Sequence, residues 1–463
     1  MTLLGCDRPA DTGPVIVSAV TGETAPGVAA PSIRLLADAT EQGLVRFDAA
    51  GRIEPGLAER WIVMDQGTSY IFRLRKAEWP NDAPVTAAQV AAALTRRLTA
   101  RGNPLGPFLT AVDEVVAMTP QVLEVRLKSQ RPDLLKLFAQ PEMAVVRARL
   151  GGTGPMRLID DDPYLLLRPA TDPAQADLAN PADIRPEDDV HLIPERGALA
   201  VARFAAGRST LLVGGTAADW PLLARAGVRP ADIRVDSAVG LFGLAVVSRE
   251  GFLADPANRT AVSQALDRAA ITAALAPGWE PVDRVLPEAL DSASSPTVPA
   301  WTVLTIDQRI IAARARVAAL ADTPVRLRIA LPAGPGGTLL YGRIAASLLA
   351  VGLVPERVRW SDPADLRLID EVAPYDSARW YLASACRPCG AEASAALIAA
   401  RDAPDMASRA REIAAADRLV DADAAFIPIA RPLRWSLVSP RLDQWRPNSR
   451  AWHPLNRLRT GAR

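Results

Sequence analysis

The sequence is poor in the residues from which nucleophilic active sites are built. It has only two histidines, His191 and His453, and three cysteines among 463 residues. A Ser-His-Asp or Cys-His arrangement needs a histidine base, and the chain contains no Gly-x-Ser-x-Gly elbow. His191 borders a strand pattern and His453 stands between Trp452 and Pro454, which is typical of structural histidines. The sequence therefore predicts a protein that is not an enzyme.

Net charge and long apolar runs are lacking as well. The 53 Lys and Arg residues against 52 Asp and Glu leave a formal charge of +1. Nucleic-acid binding draws its affinity from clustered excess positive charge, so nucleic acid is not an expected partner. No segment approaches the roughly 18 uninterrupted apolar residues that span a bilayer. The composition is that of ordinary globular domains, and the length favours about two or three of them.

Cofactor and metal motifs are also scarce. Glycines cluster at residues 334–338, between a strand pattern and a helix pattern, where phosphate-cradling loops are found. The cluster lacks the Gly-Lys-Ser/Thr of a P-loop and the spacing of a dinucleotide fingerprint. This favours a flexible strand-to-helix connection, and we expect no cofactor and no metal site.

Cys386 and Cys389 form a C-x-x-C pair, which suits a disulfide, half of a metal site or a redox centre. A zinc site would need two further ligands, and Cys6 and the two histidines are the few candidates left. An exported protein meets an oxidising compartment, which favours a local disulfide between Cys386 and Cys389. Two free thiols, or redox or metal chemistry, are the alternatives.

Residues 3–6 read Leu-Leu-Gly-Cys, the form of a bacterial lipobox, in which the cysteine is acylated and begins the mature protein. The charged and apolar regions that usually stand upstream are missing, and a chance match is the alternative. The sequence predicts that Cys6 is lipidated and that the polar residues after it form a tether to a membrane surface.

The most informative stretch covers residues 40–98. Residues 69–76 alternate between polar and apolar side chains, which predicts a half-buried strand. Thr86 and Gln89 then have the spacing of a capping box, which predicts the start of a helix. Between and before them lie turns at Gly51 and at residues 79–82. The order of turns, strand and helix is therefore well defined.

This order resembles the opening of the family 5 solute-binding proteins, the extracytoplasmic receptors of ABC importers for oligopeptides, dipeptides and nickel. Ala83 and Gln89 stand where the family pattern has Gly and Asp. Residues 151–156 resemble the family's Gly-Thr-Gly-Pro-aromatic signature, with Met156 in place of the aromatic residue. A simple surface turn is the alternative for that segment. Residues 255–275 and 426–429 resemble two further family motifs.

Residues 375–381 resemble a family strand that leads into the ligand cleft. Trp380 matches a tryptophan that contacts ligand in oligopeptide and dipeptide receptors. Ala383 stands where those receptors have an Asp that pairs with the peptide's α-ammonium group. A buried ammonium without that partner is unfavourable, so the resemblance implies a ligand that is blocked, uncharged or not a peptide. Arg379 could meet a carboxylate bidentately, and a solvent-facing arginine is the alternative.

The resemblance implies an α/β, two-lobe periplasmic-binding-protein fold of type II, in the large cluster with an extra small domain. Two hinge crossings would join the lobes, near residues 237–244 and 425–431. The implied division is residues 1–13 for a lipobox remnant and tether, 14–39, 152–238 and 430–463 for the first lobe, 40–151 for the small inserted domain, and 239–429 for the second lobe.

The implied function is to capture a peptide or peptide-like solute in an interlobe cleft and to deliver it to an ABC permease in the inner membrane. The protein would be a periplasmic or extracytoplasmic monomer that touches the membrane only through a lipid on Cys6. The alternative is a surface interaction or assembly lipoprotein that keeps the fold without a small ligand. By motif match, the expected ligand contacts are Thr40, Glu41, Gly154, Phe242, Arg379 and Trp380.

Overall fold

The computed structural model describes residues 13–22, 30–170, 185–319 and 324–459. Cys6, the predicted lipidation site, lies outside the described residues. Within them, two large sheets and a smaller β-rich unit are surrounded by helices. In this part of the chain no helix is both long enough and apolar enough to span a membrane.

The first large sheet has seven strands and is built around a buried apolar strand. Across the sheet these are β12 (Ile233–Val235), β18 (Trp435–Val438), β11 (Leu211–Gly215), β1 (Val15–Thr21), β10 (Val190–Arg196), β9 (Leu165–Pro169) and β8 (Met156–Asp160). β1 pairs in parallel with β10 and β11, and the other strands join antiparallel. Helices α1 (Pro31–Thr40) and α4 (Gly197–Ala205) pack on β1, which explains its burial. We call this unit the first lobe.

The second large sheet has five strands and forms the second lobe. Across the sheet these are β15 (Val354–Val358), β14 (Arg326–Ala330), β16 (Leu366–Val372), β13 (Gly240–Val246) and β17 (Phe426–Ala430). Every residue of β13 is buried, as its continuous apolar run predicts for a strand covered on both faces. The helices of this lobe are α5 (Pro256–Ala265), α6 (Arg268–Leu275), α7 (Ile306–Ala318), α8 (Pro335–Leu349), α9 (Ala378–Ala385), α10 (Ala391–Asp402) and α11 (Met406–Asp423).

A smaller unit, which we call the small domain, is formed by the elements between residues 45 and 138. It contains the hairpin β2 (Val45–Phe47) and β3 (Ile53–Pro55), the sheet β4 (Ala58–Met64), β5 (Ser69–Leu74), β7 (Val122–Leu127) and β6 (Val112–Thr119), and helices α2 (Ala87–Thr99) and α3 (Leu134–Phe138). The predicted capping box begins α2, since the Gln89 N–H donates to Thr86 Oγ1 at 3.4 Å and the Thr86 N–H donates to Gln89 Oε1 at 3.1 Å. Gln89 Oε1 also accepts from the Trp79 indole N–H at 2.9 Å, which fixes the preceding turn to the helix.

The chain passes between the lobes twice, through residues 236–239 between β12 and β13 and through residues 431–434 between β17 and β18. The Asp236 N–H donates to the Arg434 carbonyl at 3.0 Å, so the two crossings are hydrogen-bonded to each other. Arg434 Nη1 in turn lies 2.7 Å from Asp370 Oδ1 in β16. The predicted α/β class, with two lobes joined by two crossings, is confirmed. The crossings lie at residues 236–239 and 431–434 rather than at 237–244 and 425–431, because residues 240–244 and 426–430 belong to the buried strands β13 and β17.

One local prediction is wrong. Residues 375–381 were expected as a strand, whereas the structure forms α9 from Ala378 to Ala385. Three of the eight residues of α9 are alanine, the residue that most favours a helix, and its buried residues pack in the core that the second lobe shares with the small domain. Arg379 and Trp380 therefore project from a helix.

The glycine-rich segment is a strand-to-helix connection, as predicted, and it also touches the first lobe. Gly334 is the N-cap of α8 and has a φ of +107°, a conformation that side chains other than glycine rarely adopt. The Gly336 N–H donates to the Ala218 carbonyl at 2.9 Å. A Cβ added at Gly336 would lie 2.0 Å from the carbonyl oxygen of Ala217, so this glycine permits close approach of the two lobes.

Candidate functional site

Three of the predicted ligand contacts lie together where the small domain joins the first lobe. The Gly154 N–H donates to the Thr40 carbonyl at 2.9 Å, and the Glu41 N–H donates to Ala37 at the end of α1. A Cβ on Gly154 would lie 2.4 Å from the carbonyl carbon of Thr40. Glycine is thus required at this position because the end of α1 rests directly on the loop.

The side chains around Glu41 are only partly accessible. Burial raises the pKa of the Glu41 carboxyl, and the positive charge of Arg97 opposes the rise. Gln42 Nε2 donates to the Thr153 carbonyl at 2.5 Å, which fixes the loop from the opposite side. Since Thr153 is buried, the segment is not a simple surface turn.

Phe242 lies apart from this group. It belongs to β13, is 1% exposed, and its ring meets Trp279 edge-on with centroids 4.8 Å apart. The Trp279 indole donates to the Arg431 carbonyl at 2.8 Å, next to the second crossing. The Phe242 ring therefore packs in the core of the second lobe, and its contact with ligand stays a prediction.

Trp380 is also largely enclosed. It is 5% exposed and packs edge-on against Tyr381, with ring centroids 5.0 Å apart. Ala383 is half-buried on the same helix, at the position where the related receptors place a carboxylate. Helix α9 therefore presents no carboxylate at that position to an ammonium group.

A small recess lies between the small domain and the second lobe, beside Arg379. We call it the arginine recess. The small domain contributes Phe108, Arg131, Pro132, Asp133 and Leu137. The second lobe contributes Asp291, Tyr375, Arg379 and Arg409.

Arg379 contacts the small domain at two points in the arginine recess. Its side chain stacks over the Phe108 ring, with the guanidinium carbon 5.2 Å from the ring centroid, and Nη1 donates to the Pro107 carbonyl at 3.2 Å. Its Nε is buried and finds no acceptor among the described residues. No carboxylate in the described part of the chain lies within ion-pairing distance of it. Burial, and after it the positive charge of Arg409, lowers the pKa of Arg379.

The other charges of the recess are partly balanced. Arg409 Nη2 lies 3.0 Å from Asp291 Oδ2, an ion pair with both side chains largely buried. Burial and then the positive charges of Arg409 and Arg379 lower the pKa of Arg131 to about 10. Burial raises the pKa of Asp133 to about 6, although Lys136 opposes the rise. The recess thus has three guanidinium groups, and above pH 6 two carboxylates.

Next to the arginine recess, hydrogen bonds join the second lobe to the small domain and to the segment that follows β18. Asp376 accepts hydrogen bonds from Lys136 of the small domain and from Arg450, which follows β18. Gln140 Nε2 donates to the Pro374 carbonyl at 2.7 Å, and Arg450 Nη1 donates to the Ala373 carbonyl at 2.8 Å. The second lobe is therefore hydrogen-bonded both to the small domain and to the segment that follows β18.

Comparison with known protein families agrees with this architecture. Residues 52–302, more than half of the chain, match the model of the bacterial extracellular solute-binding proteins, family 5. The chain belongs to this family. The predicted two-lobe periplasmic-binding-protein fold is likewise confirmed by solved structures. The murein tripeptide binding protein MppA of Escherichia coli superposes with a TM-score of 0.79 at 17% identity, over 96% of this chain and 99% of MppA.

Sequence matches to individual family 5 proteins are shorter. One is 45% identity over 47 residues with YgiS of Escherichia coli K12, named a probable deoxycholate-binding periplasmic protein. Another is 26% identity over 141 residues with the dipeptide-binding protein DppE of Bacillus subtilis 168. They cover 10% and 27% of this chain, and only 9% and 26% of the relatives' own lengths.

Both histidines of this family 5 protein have structural contacts. His191 stacks on Tyr164 with ring centroids 4.5 Å apart, and burial lowers its pKa. His453 stacks on Trp445, and its Nε2 lies 3.1 Å from Asp236 Oδ2 at the first crossing. Among the described residues no group of three or more His, Cys, Asp or Glu side chains is placed to hold a metal ion.

The structure pairs Cys386 with Cys389 in the loop after α9. That loop has further anchors. Arg387 makes two hydrogen bonds of 2.8 Å with Glu371, and Arg249 Nη1 donates to the Pro388 carbonyl at 3.1 Å. The loop is therefore held to the second lobe by side chains as well as by the cysteines.

Most residues of the arginine recess were not predicted from the sequence. Arg131 and Asp133 lie in the small domain, whereas Asp291 and Arg409 lie far along the chain in the second lobe. No spacing or motif relates them, because they meet only when the small domain packs on the second lobe. Arg379 alone was singled out, since it stands next to the tryptophan of a family motif.

Proposed function

We propose that this protein captures a peptide or peptide-like solute between its lobes and delivers it to an ABC permease in the membrane. The observation that carries the proposal is the arginine recess, which both the small domain and the second lobe line. A solute that contacts both sides favours the closed arrangement, and closure by hinge motion is how such a receptor would signal that it is loaded.

Two relatives support a peptide-like solute. MppA is a murein tripeptide binding protein and DppE is a dipeptide-binding protein. The alanine at position 383 argues against a free α-ammonium group at that end of the solute, since no carboxylate is provided there. We therefore propose a solute whose amino end is blocked or absent.

We further propose that the ligand contacts include Thr40, Glu41, Gly154, Phe242, Arg379 and Trp380. The first three lie at the end of α1 and the loop that it touches, and the last two lie on α9. The proposed division into lobes places these groups on opposite sides of the cleft. Residues 40–151 would form the inserted domain, and residues 239–429 the second lobe.

We propose that the protein is a monomer and that it is not an enzyme. It acts in the periplasm or elsewhere outside the cytoplasmic membrane, and a lipid on Cys6 would hold it at that membrane. Family membership supports the extracytoplasmic location. The lipid is supported only by the sequence of residues 3–6, and intact-mass measurement of protein from its own cells would detect it.

Native mass spectrometry of protein purified from its own cell envelope tests the proposed function. We expect a stoichiometric small molecule that gentle denaturation releases, with a mass that distinguishes a peptide from other solutes. A reproducibly empty protein that also shows no thermal shift with a peptide and metabolite library would contradict the proposal. The fold would then serve a surface interaction without a small ligand.

A further inference from the structure

The small domain is attached to the first lobe at both of its ends. The chain enters it after α1 and leaves it before β8, and both elements belong to the first lobe. It meets the second lobe through noncovalent contacts, such as those of Lys136 with Asp376 and of Arg379 with the Pro107 carbonyl. A hinge rotation about the two crossings therefore carries the small domain away from the second lobe. Closed here means that these contacts are made, and open means that they are broken.

Asp133, Asp291 and Asp376 lie near one another at this contact. Asp291 forms an ion pair with Arg409 at 3.0 Å and accepts two further hydrogen bonds from the second lobe. Asp376 accepts from Lys136 and from an arginine that follows β18. Asp133 lies immediately before α3 and lines the arginine recess, and no described residue donates a hydrogen bond to its carboxylate. A negative charge on Asp133 is therefore the least stabilised of the three.

The second lobe opposes the ionisation of Asp133. Burial, and with it the negative charges of Asp291 and Asp376, raises the pKa of this carboxyl from 3.8 to about 6. Lys136 opposes the rise, and so, more weakly, does Arg409. Lys136 belongs to the small domain and stays beside Asp133 in either arrangement, whereas both carboxylates belong to the second lobe. Opening therefore removes two like charges and part of the burial, and the pKa of Asp133 returns toward its ordinary value.

The other titratable groups around Asp133 keep their charge near neutral pH. Tyr70 of β5 and Tyr375 of the second lobe face it, and burial raises the pKa of both phenols above the ordinary value, so they stay neutral. Arg131 and Arg379 line the same recess. Burial lowers the pKa of both, that of Arg131 to about 10, but guanidinium groups remain charged at neutral pH. Asp133 is therefore the group whose charge we expect to change between about pH 4 and 7.

We propose that protonation of Asp133 switches the contact between the small domain and the second lobe, with the neutral carboxyl favouring the closed arrangement and the carboxylate the open one. In the closed arrangement the carboxylate is largely buried, has no donor and lies beside two like charges, which is unfavourable. The stabilisation of the closed arrangement is complete below about pH 4 and is lost as the pH rises through 6. The inference goes beyond the proposed function, because it concerns the protein without solute.

Small-angle scattering of solute-free protein at several pH values between about 4.5 and 7.5 tests the inference. Unfolding and refolding first removes any bound solute. We expect the radius of gyration of the wild type to increase with pH. The pKa values of 3.8 and about 6 correspond to an open-to-closed ratio that rises by up to about 100-fold over the whole transition. Asp133→Asn should stay compact and keep the same radius at every pH.

Two further variants separate the charge of Asp133 from other effects of pH. Asp113→Asn neutralises a carboxylate of the same domain whose side chain is 57% exposed, and its radius should follow that of the wild type. Asp133→Ser is a second neutral variant and should behave as Asp133→Asn does. If Asp133→Asn has the same pH dependence as the wild type, or if both Asp133 variants are open at every pH, the inference is overturned.

A wild-type radius that does not change with pH leads to the same comparison in the Gly336→Ala background. That substitution weakens a separate contact between the lobes, at the Ala217 carbonyl, and so increases the open population. In this background the radius should increase with pH when position 133 is Asp and stay constant when it is Asn. An equal pH dependence in both proteins, or none in either, would overturn the inference while leaving the proposed function untouched.

Discussion

Lys136 of the small domain and Asp376 of the second lobe form an ion pair across the cleft, with the Nζ and Oδ2 atoms in direct contact. Arg450 binds the other oxygen of the same carboxylate. Burial by itself would raise the pKa of the Asp376 carboxyl. The hydrogen bonds from Lys136 and Arg450 outweigh burial and lower this pKa below its ordinary value. Asp376 therefore joins the second lobe both to the small domain and to the segment that follows β18.

Replacing this carboxylate should favour the open arrangement. Asp376→Asn removes one ion pair that is partly exposed and a second that involves a buried arginine. We expect the closed form to lose about 1 kcal/mol, which weakens solute binding roughly fivefold. Small-angle scattering without solute should give a larger radius of gyration than for the wild type. An unchanged radius and an unchanged affinity would show that Asp376 does not control closure.

Gly336→Ala should also hinder the approach of the second lobe to the first lobe. The added Cβ would lie 2.0 Å from the Ala217 carbonyl oxygen, which is backbone and cannot rotate away. We expect weaker solute binding together with a larger radius of gyration.

Gly342→Ala is the matched control for this variant, because it lies in the same helix and a Cβ there has no atom within 4 Å. It should increase stability by about 0.5–1 kcal/mol through helix propensity and leave closure unchanged. If the two variants behave alike, helix propensity rather than the contact with Ala217 explains the effect at Gly336.

The sequence predicted what depends on neighbours in the chain. The hydrogen bonds between Thr86 and Gln89 span three residues, and the alternation of residues 69–76 reflects one buried face of β5. Both predictions are correct for that reason. The strand expected around Trp380 is wrong, because three of the eight residues of α9 are alanine and favour a helix over the conformation that the family motif suggested.

The arginine recess could not be predicted in the same way. An arginine at position 131 or 409 looks like any surface arginine in the sequence, and its role depends on which groups packing places beside it. The glycine at position 336 was interpreted as part of a flexible connection. Only the folded lobes show that Ala217 and Ala218 lie against it.

A double substitution, Cys386→Ser with Cys389→Ser, tests the predicted disulfide. Closing so short a loop should contribute about 2 kcal/mol in the chain-entropy description, so the melting temperature should fall modestly. The fold should persist, because Arg387 and Arg249 also anchor the loop. Alkylation of unfolded wild-type protein without reductant should leave Cys386 and Cys389 unmodified. Modification of both would support free thiols instead.

Asp133→Asn should change the pH dependence of stability. Burial raises the pKa of this carboxyl from 3.8 to about 6, so the folded state binds the proton more tightly than the unfolded chain. The stability that this group contributes is then complete below pH 4 and is lost as the pH rises through 6. Relative to the wild type, Asp133→Asn should gain up to about 3 kcal/mol between pH 4 and 7. Urea unfolding at several pH values measures the difference.

The informative quantity is the difference in unfolding free energy between the wild type and Asp133→Asn. Burial also raises the pKa of Asp38, Asp219 and Asp421 to about 6, so the wild type alone does not isolate Asp133. These three carboxyl groups are present in both proteins, so their contributions cancel in the difference. Asp362→Asn provides a control of opposite sign, since hydrogen bonds from Arg359 lower the pKa of that exposed carboxyl. If Asp133→Asn has the same pH profile as the wild type, the Asp133 carboxyl is solvated in the folded protein.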